Sequence, residues 1–405
     1  MRWTAGAALG GCLASLVVTP APARAAAVPA ASPAVPARPA AAPARAAACQ
    51  QTPESGPLVK AQITEAPWAQ QLLPLQEAQE KADGRGVKIA VIDSGVDAAN
   101  PQLAGQTAPT VDLTGTGPRD CVGHGTEVAG IIAAKPRMSL FVGVAPGARI
   151  IPIKYAAAAT NNDDRLLVKG IDEAVRRRVD IINISSETHA DTPELRQAVN
   201  RAIAADILIV AAAGNVNPKK GGAPTPSFPA QYQGVVSVGA IAQNGEVTQF
   251  SNTKTRVSVI APGKDILTVA PDGGYIVKGE GTSFATPFVS GVAALVKQTH
   301  PRLTAAQIKQ RIEATADGQK GTGSGYGVVN PLAAVTTVLD PNAPLAPAPE
   351  PGSVRLAVRE KTDPATRNAA LGIGLGGLGL AALVVAGGIL IPAGRRRNWR
   401  PGSVD

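Results

Sequence analysis

Asp93, His124, Asn215 and Ser283 have, in that order along the chain, the side chains that acyl transfer requires. Ser283 lies in Gly281-Thr282-Ser283-Phe284-Ala285-Thr286-Pro287, just behind a glycine and at the mouth of an apolar run over 284–296. That run is rich in small residues and apolar nearly all round, which predicts a helix buried on every side. Pro287 is expected in its first turn, where a missing N–H has no consequence. A serine at such a helix N-terminus meets free backbone N–H groups and the positive end of the dipole, both of which favour a developing anion. A nucleophile there can attack a carbonyl with the oxyanion held beside it. A serine before a helix is more often a plain N-cap. The chemical reading therefore requires a base, an orienting acid and a second oxyanion donor elsewhere.

The chain has only 3 histidines, so the search for the base is short. His300 precedes Pro301 at the end of the predicted helix, where a histidine facing the dipole is an ordinary feature. His189 sits in the polar stretch Glu187-Thr188-His189-Ala190-Asp191. His124 stands in Gly123-His124-Gly125-Thr126-Glu127-Val128-Ala129-Gly130, where small residues let backbone and substrate approach the ring. With these residues in place, Ser283 attacks, and His124 takes its proton and returns it to the leaving amine. Asp93 fixes the tautomer and stabilises the imidazolium. The Asn215 amide and the Ser283 N–H bind the oxyanion.

These residues need a rigid frame, and the hydrophobic pattern supplies one. Segment 87–92 is a nearly continuous apolar run that reads as a buried parallel strand ending on Asp93. Further strands are predicted at 150–154, 179–184 and 207–212, with helices at 163–177 and 194–205. One or two short helices, interrupted at Pro74, are expected over 68–81. Alternating strands and helices predict an α/β fold, with a mostly parallel sheet covered on both faces. Ligands of such sheets bind at the carboxyl ends of the strands, where Asp93 and Gly214-Asn215 fall.

The rest of the chain reads as attachments to that domain. Met1-Arg2 and an apolar stretch over 5–18 resemble a secretory signal, with Ala23-Arg24-Ala25 as the cleavage site and Cys12 leaving with the signal. Residues 26–54 form an Ala/Pro-rich extension, 55–340 the catalytic domain and 341–370 a Pro-rich spacer. The uncharged run 371–391 is long enough to span a bilayer core of roughly 30 Å. Arg395, Arg396, Arg397 and Arg400 follow in the tail 392–405, which places that tail in the cytoplasm and the domain outside, in a type I topology. Two cysteines, Cys49 and Cys121, remain after signal removal. An oxidising compartment favours pairing them. Two free buried thiols are the alternative, which the polar setting of Cys49 disfavours. The net charge of +9 is spread out and aromatics make up 3%, so no basic, aromatic-lined surface suggests nucleic acid. No cluster of carboxylates suits calcium, and neither a metal nor a cofactor is expected.

The order Asp…His…Ser, with the stretches 89–97, 123–130, 211–215 and 281–287, resembles the subtilisin-like serine proteases over about 68–334. The resemblance implies their three-layer fold, with Asp93, His124 and Ser283 as the triad and Asn215 in the oxyanion hole. It also implies a primary pocket walled by Ser185-Ser186-Glu187 on one side and Ala211-Ala212-Ala213-Gly214 on the other. Glu187 stands where such proteases often have glycine, which narrows the pocket or charges it. The signal, the segment Asp120-Cys121-Val122-Gly123-His124-Gly125-Thr126, the spacer, the terminal apolar run and the Arg-rich tail together resemble the mycosins. These are membrane-anchored subtilases of type VII secretion systems. That likeness implies an N-terminal extension wrapped on the domain, consistent with a Cys49–Cys121 bridge. It also implies protein or peptide substrates and association with type VII secretion membrane-complex subunits. The second cysteine pair usual in that family between about 189 and 222 is missing here. A rival reading makes the protein chiefly a structural subunit of the secretion complex with minor protease activity; the complete tetrad counts against a purely structural role.

Overall fold

The computed structural model describes residues 56–340 apart from 138, 159–162, 217–223 and 319–321, together with scattered positions from 377 to 396. The chain begins with β1 (Leu58–Val59), α1 (Trp68–Leu72), α2 (Leu75–Gln79), β2 (Lys88–Asp93), β3 (Val111–Asp112) and α3 (His124–Ala133). It continues through β4 (Arg149–Lys154), α4 (Asp164–Arg176), β5 (Ile181–Ile184), α5 (Pro193–Ala204) and β6 (Leu208–Ala212). Then come β7 (Val236–Ile241), β8 (Val259–Pro262), β9 (Ile266–Val269), β10 (Tyr275–Gly279), α6 (Thr282–Thr299), α7 (Ala305–Ala314) and α8 (Pro331–Thr336). The strands and helices expected between 150 and 212 appear within a residue or two of their predicted ends.

The main sheet has seven strands in the order β3-β4-β2-β5-β6-β7-β8, all paired in parallel. Its strands are largely apolar because both faces are covered, with Asn183 of β5 and Ser237 of β7 as buried polar positions. Ile89 and Val91 of β2 point into a core shared with α3 and α6, while Ala90 and Ile92 join the core beneath α4 and α5. This makes three layers. Strand β2 leads on to α3 on one face, whereas its neighbours β4 and β5 lead to α4 and α5 on the other. The chain therefore parts at the carboxyl end of β2, where a crevice must open. A second, antiparallel sheet, β1-β10-β9, lies outside the predicted pattern.

Helix α6 differs from expectation at its start. It begins at Thr282, so Pro287 stands inside the helix rather than in its first turn. The Thr282 N–H donates to Asn215 Oδ1 at 2.9 Å, and this partner from outside the helix supports the earlier start. Pro287 then offers no N–H to the Ser283 carbonyl four residues before it. Deeper in α6, Ser290 Oγ donates to Asn183 Oδ1 at 2.8 Å, and Asn183 Nδ2 donates to Ser185 Oγ at 3.0 Å. Asn183 and Ser290 have no exposed surface, so this polar link fixes how α6 sits over β5.

The signal, the N-terminal extension and the spacer lie outside the described residues, as does most of 371–391. Among the described residues, no helix is long and apolar enough to cross a membrane.

The buried link yields a stability prediction. Ser290→Ala leaves the Asn183 carbonyl oxygen without that partner and should lower unfolding free energy by about 1–3 kcal/mol. Urea denaturation of the variant against the wild type checks this; an unchanged midpoint would refute it.

Candidate active site

Asp93 is the last residue of β2 and is almost wholly buried. Its carboxylate accepts the Ser94 N–H at 2.8 Å. His124 opens α3 and brings Nδ1 to 2.9 Å and 3.0 Å from the two Asp93 oxygens. Helix α3 can come this close because Gly125 has no side chain: a Cβ there would stand 2.0 Å from the Gly95 carbonyl oxygen. Asp120 fixes the approach to the histidine. Its buried carboxylate accepts N–H groups of Gly123 (2.8 Å) and Thr126 (2.9 Å) and the hydroxyls of Thr126 (2.6 Å) and Ser94 (2.9 Å). It thereby satisfies donors at the start of α3. Lys154, fully buried at the end of β4, donates to the carbonyls of Gly117 (3.0 Å) and Arg119 (2.7 Å) and pins the loop leading to Asp120. The Phe284 ring meets the His124 ring edge-on, with centroids 5.7 Å apart.

Ser283 is the second residue of α6, so its N–H lies in the turn that no intrahelical carbonyl reaches. Asn215 follows the end of β6. Its Oδ1 accepts both the N–H of Thr282 (2.9 Å) and the Thr282 hydroxyl (3.2 Å), which fixes the amide with Nδ2 as its remaining, donating end. Gly281, at φ +148°, lies between the two groups: a Cβ there would stand 2.9 Å from Ser283 Oγ and 3.5 Å from Asn215 Nδ2. Ser283, His124, Asp93 and Asn215 all line one cavity of about 330 Å³. An anchored acid–imidazole pair, a helix-start hydroxyl and an aimed amide around one opening can carry out nucleophilic acyl transfer.

The subtilase family pattern matches residues 84–330, which is more than half of the chain. The chain belongs to the subtilase family. It is 36% identical over 234 residues to subtilisin E of Bacillus subtilis, covering 58% of this chain and 61% of that protein. Mycosin-1 of Mycolicibacterium smegmatis is 34% identical over 329 residues, covering 68% of this chain and 73% of mycosin-1. The crystal structure of MycP1 from the ESX-1 type VII secretion system superposes with a TM-score of 0.64 at 32% identity, covering 74% of this chain and 94% of that one. The chain is thus a subtilase-type serine protease related to the mycosins.

The cavity of this subtilase also takes in Ser185, Ser186 and Glu187, together with Tyr155, Ala156 and Glu280. Ala211, Ala212 and Ala213 have no exposed surface, and neither they nor Gly214 are among the residues that line this cavity, unlike the wall expected of them. Glu187 is half-buried and turned inward, its Oε1 accepting the Asn215 N–H at 3.1 Å. Burial pushes its carboxyl above the usual carboxylate range, against the lowering effect of that N–H and of His189 and His124. The Tyr155 hydroxyl donates to Ser186 Oγ at 2.5 Å and ties the end of β4 to the cavity wall. Asp120, Thr282 and Lys154 escaped the reading of the sequence. Asp120 alone carried a local signal, an aspartate that can bond backbone N–H groups two and three residues on. Cys121 is disulfide-bonded, and its expected partner Cys49 lies outside the described residues. His300 caps the far end of α6, and His189 is exposed.

The charges around His124 set its pH behaviour. Burial works against the imidazolium, but the charge and hydrogen bond of Asp93 outweigh it, with Glu127 and Asp120 adding to the field. The pKa is thereby pushed up from 6.5 to about 9. A folded-state value above the unfolded one means the pair stabilises the fold fully below pH 6.5 and loses that contribution as pH rises through about 9. A base must be neutral to accept a proton, so kcat/KM should keep rising from neutrality to about pH 9. A pH–rate profile on a peptide substrate tests this, and a plateau already reached at pH 7 would contradict it.

Proposed function

We propose that this subtilase is a membrane-tethered, extracytoplasmic serine endopeptidase that processes secreted proteins of a type VII secretion system and associates with its membrane complex. The observation that carries the catalytic part is the His124 ring, held by Asp93, sharing one cavity with Ser283 and the Asn215 amide. In this reading Ser283 Oγ attacks the scissile carbonyl and His124 Nε2 takes its proton. Asp93 holds Nδ1–H and stabilises the imidazolium. The oxyanion is met by Asn215 Nδ2 and the Ser283 N–H. In subtilisin, removing that amide costs roughly 10²–10³ in kcat. His124 then protonates the leaving amine, and water hydrolyses the acyl-enzyme by the same route reversed. Side chains and backbone suffice, so the chemistry calls for no metal or cofactor.

The remaining parts are argued from the sequence and from the relatives. The names mycosin-1 and MycP1 of a type VII system support the secretion role. The signal over 1–25, the apolar run 371–391 and the arginines after it support a type I single-pass topology, with the domain over 55–340 tethered by the spacer 341–370. The bonded state of Cys121 supports a Cys49–Cys121 bridge that ties the extension 26–54 to the loop before His124. The primary pocket, in this reading between Ser185-Ser186-Glu187 and Ala211-Ala212-Ala213-Gly214, is narrowed by Glu187 and takes small side chains.

Two measurements test these assignments. The full chain should be labelled by a fluorophosphonate probe, and labelling should vanish in Ser283→Ala and fall by several orders of magnitude in His124→Ala. Equal labelling of Ser283→Ala would remove Ser283 as the nucleophile. Mass spectrometry of non-reduced peptides should find Cys49 linked to Cys121, with Cys12 absent from the mature chain. Such a closure contributes about 4 kcal/mol in the chain-entropy model, so its reduction should lower the thermal midpoint. Free thiols at both positions would exclude the bridge.

A further inference from the structure

Glu187 and Asn215 stand on opposite sides of the cavity, after β5 and after β6, and one hydrogen bond joins them. Glu187 Oε1 accepts the backbone N–H of Asn215 at 3.1 Å. The residue gripped in this way is the one whose side-chain amide faces Ser283. Strand β6 ends at Ala212 and the chain turns at Gly214 (φ +96°), whose N–H donates to Thr282 Oγ1 at 3.2 Å and whose carbonyl accepts the Asn252 N–H at 3.0 Å, while Asn215 itself is exposed. Among the described residues, an isolated bridge to Ser251 and the Val216 N–H to Phe250 carbonyl bond (2.8 Å) also hold the segment. The Asn215 side chain is held separately, by Thr282. Thr282 therefore sets the direction of the Asn215 amide, and the Glu187 side chain holds the N–H of the backbone that carries it.

We propose that Glu187 is a positioning residue for the oxyanion donor, latching the two walls of the primary pocket together while it narrows the opening between them. A carboxylate suits the role, since charge-assisted hydrogen bonds to N–H are stronger than neutral ones. The inference rests on the protease reading and deepens it, because one side chain then couples specificity to turnover. A substrate side chain too large for the latched pocket must displace Glu187, and the Asn215 N–H then loses its carboxylate partner. Large side chains before the scissile bond are thus penalised in kcat, where the oxyanion forms, more than in KM. Small ones leave the latch closed and meet the amide already in place.

The test uses the full chain and a peptide substrate with Ala before the scissile bond. Glu187→Ala should lower kcat about tenfold with KM changed less than about twofold. Glu187→Gln, whose amide oxygen can accept the same N–H, should keep at least about half of the wild-type kcat. In an Asn215→Ala background, Glu187→Ala should cause no further loss, because a residue acting through the amide has no effect once the amide is gone. Hydrogen exchange at the Asn215 amide, followed by mass spectrometry, should be faster in Glu187→Ala and unchanged in Glu187→Gln. That arm does not depend on turnover, so it separates failure of the latch from failure of the protease reading, which fluorophosphonate labelling reports. Glu187→Ser replaces the alanine variant if thermal melting shows that alanine impairs folding. Wild-type kcat after truncation, multiplied losses in the double variant, or unchanged exchange at Asn215 would each overturn the proposal.

Discussion

The contact between Asp93 and His124 is the constraint on which the rest of the structure depends. A carboxylate buried at a strand end is costly unless it is hydrogen-bonded and paired. Here the Ser94 N–H and the imidazole supply those partners, at 2.8 Å and 2.9 Å. The pairing requires α3 to start against the end of β2, which Gly125 permits and Asp120 enforces through the first N–H groups of the helix. Lys154 extends the same scaffolding one layer further by gathering the carbonyls of the loop before Asp120. The acid–base pair thus sits on two rigid elements and a clamped loop, as precise proton transfer requires.

Ser283 and Asn215 depend on a second piece of packing, between α6 and the ends of β5 and β6. Helix α6 runs through the interior, apolar nearly all round, and owes its position to burial against the sheet and to the Ser290–Asn183 bond. At its start, the Asn215 side chain supplies an acceptor for Thr282. One amide therefore supports the helix through its oxygen and faces the cavity through its nitrogen. The Pro287 interruption lies one turn on, where the helix already has this outside support.

The crevice that collects these groups follows from topology. Strand β2 sends its connection to one face of the sheet while β4 and β5 send theirs to the other, so the carboxyl ends of adjacent strands are left uncovered. Asp93, Ser185 and, one strand over, Asn215 all project from that edge. Glu187 lies across it, and its half-buried carboxylate belongs both to the pocket wall and to the donor opposite. In the proposed reading, specificity and transition-state stabilisation then share the same few residues of this subtilase.

The sequence alone determined the α/β fold class and offered the candidate reacting groups. Apolar runs buried on both faces, separated by helical stretches, leave little choice but a parallel sheet in three layers, because each run must be covered twice. A glycine before the serine, glycines around the histidine and a strand ending on aspartate are local signals, and they named Asp93, His124 and Ser283. The resemblance to subtilases added the Ser185-Ser186-Glu187 wall. Tertiary structure alone decided the buttressing. Nothing near Lys154 marks it as a buried cation serving the carbonyls of residues 117 and 119, and nothing near Thr282 shows that its N–H would meet Asn215. Glu187 reads locally as a surface carboxylate with freedom to face solvent, and packing turned it inward onto a backbone N–H. Period, caps and turn residues are written within a few neighbouring positions. A hydrogen bond between residues far apart in the chain exists only once the sheet has brought their strand ends side by side.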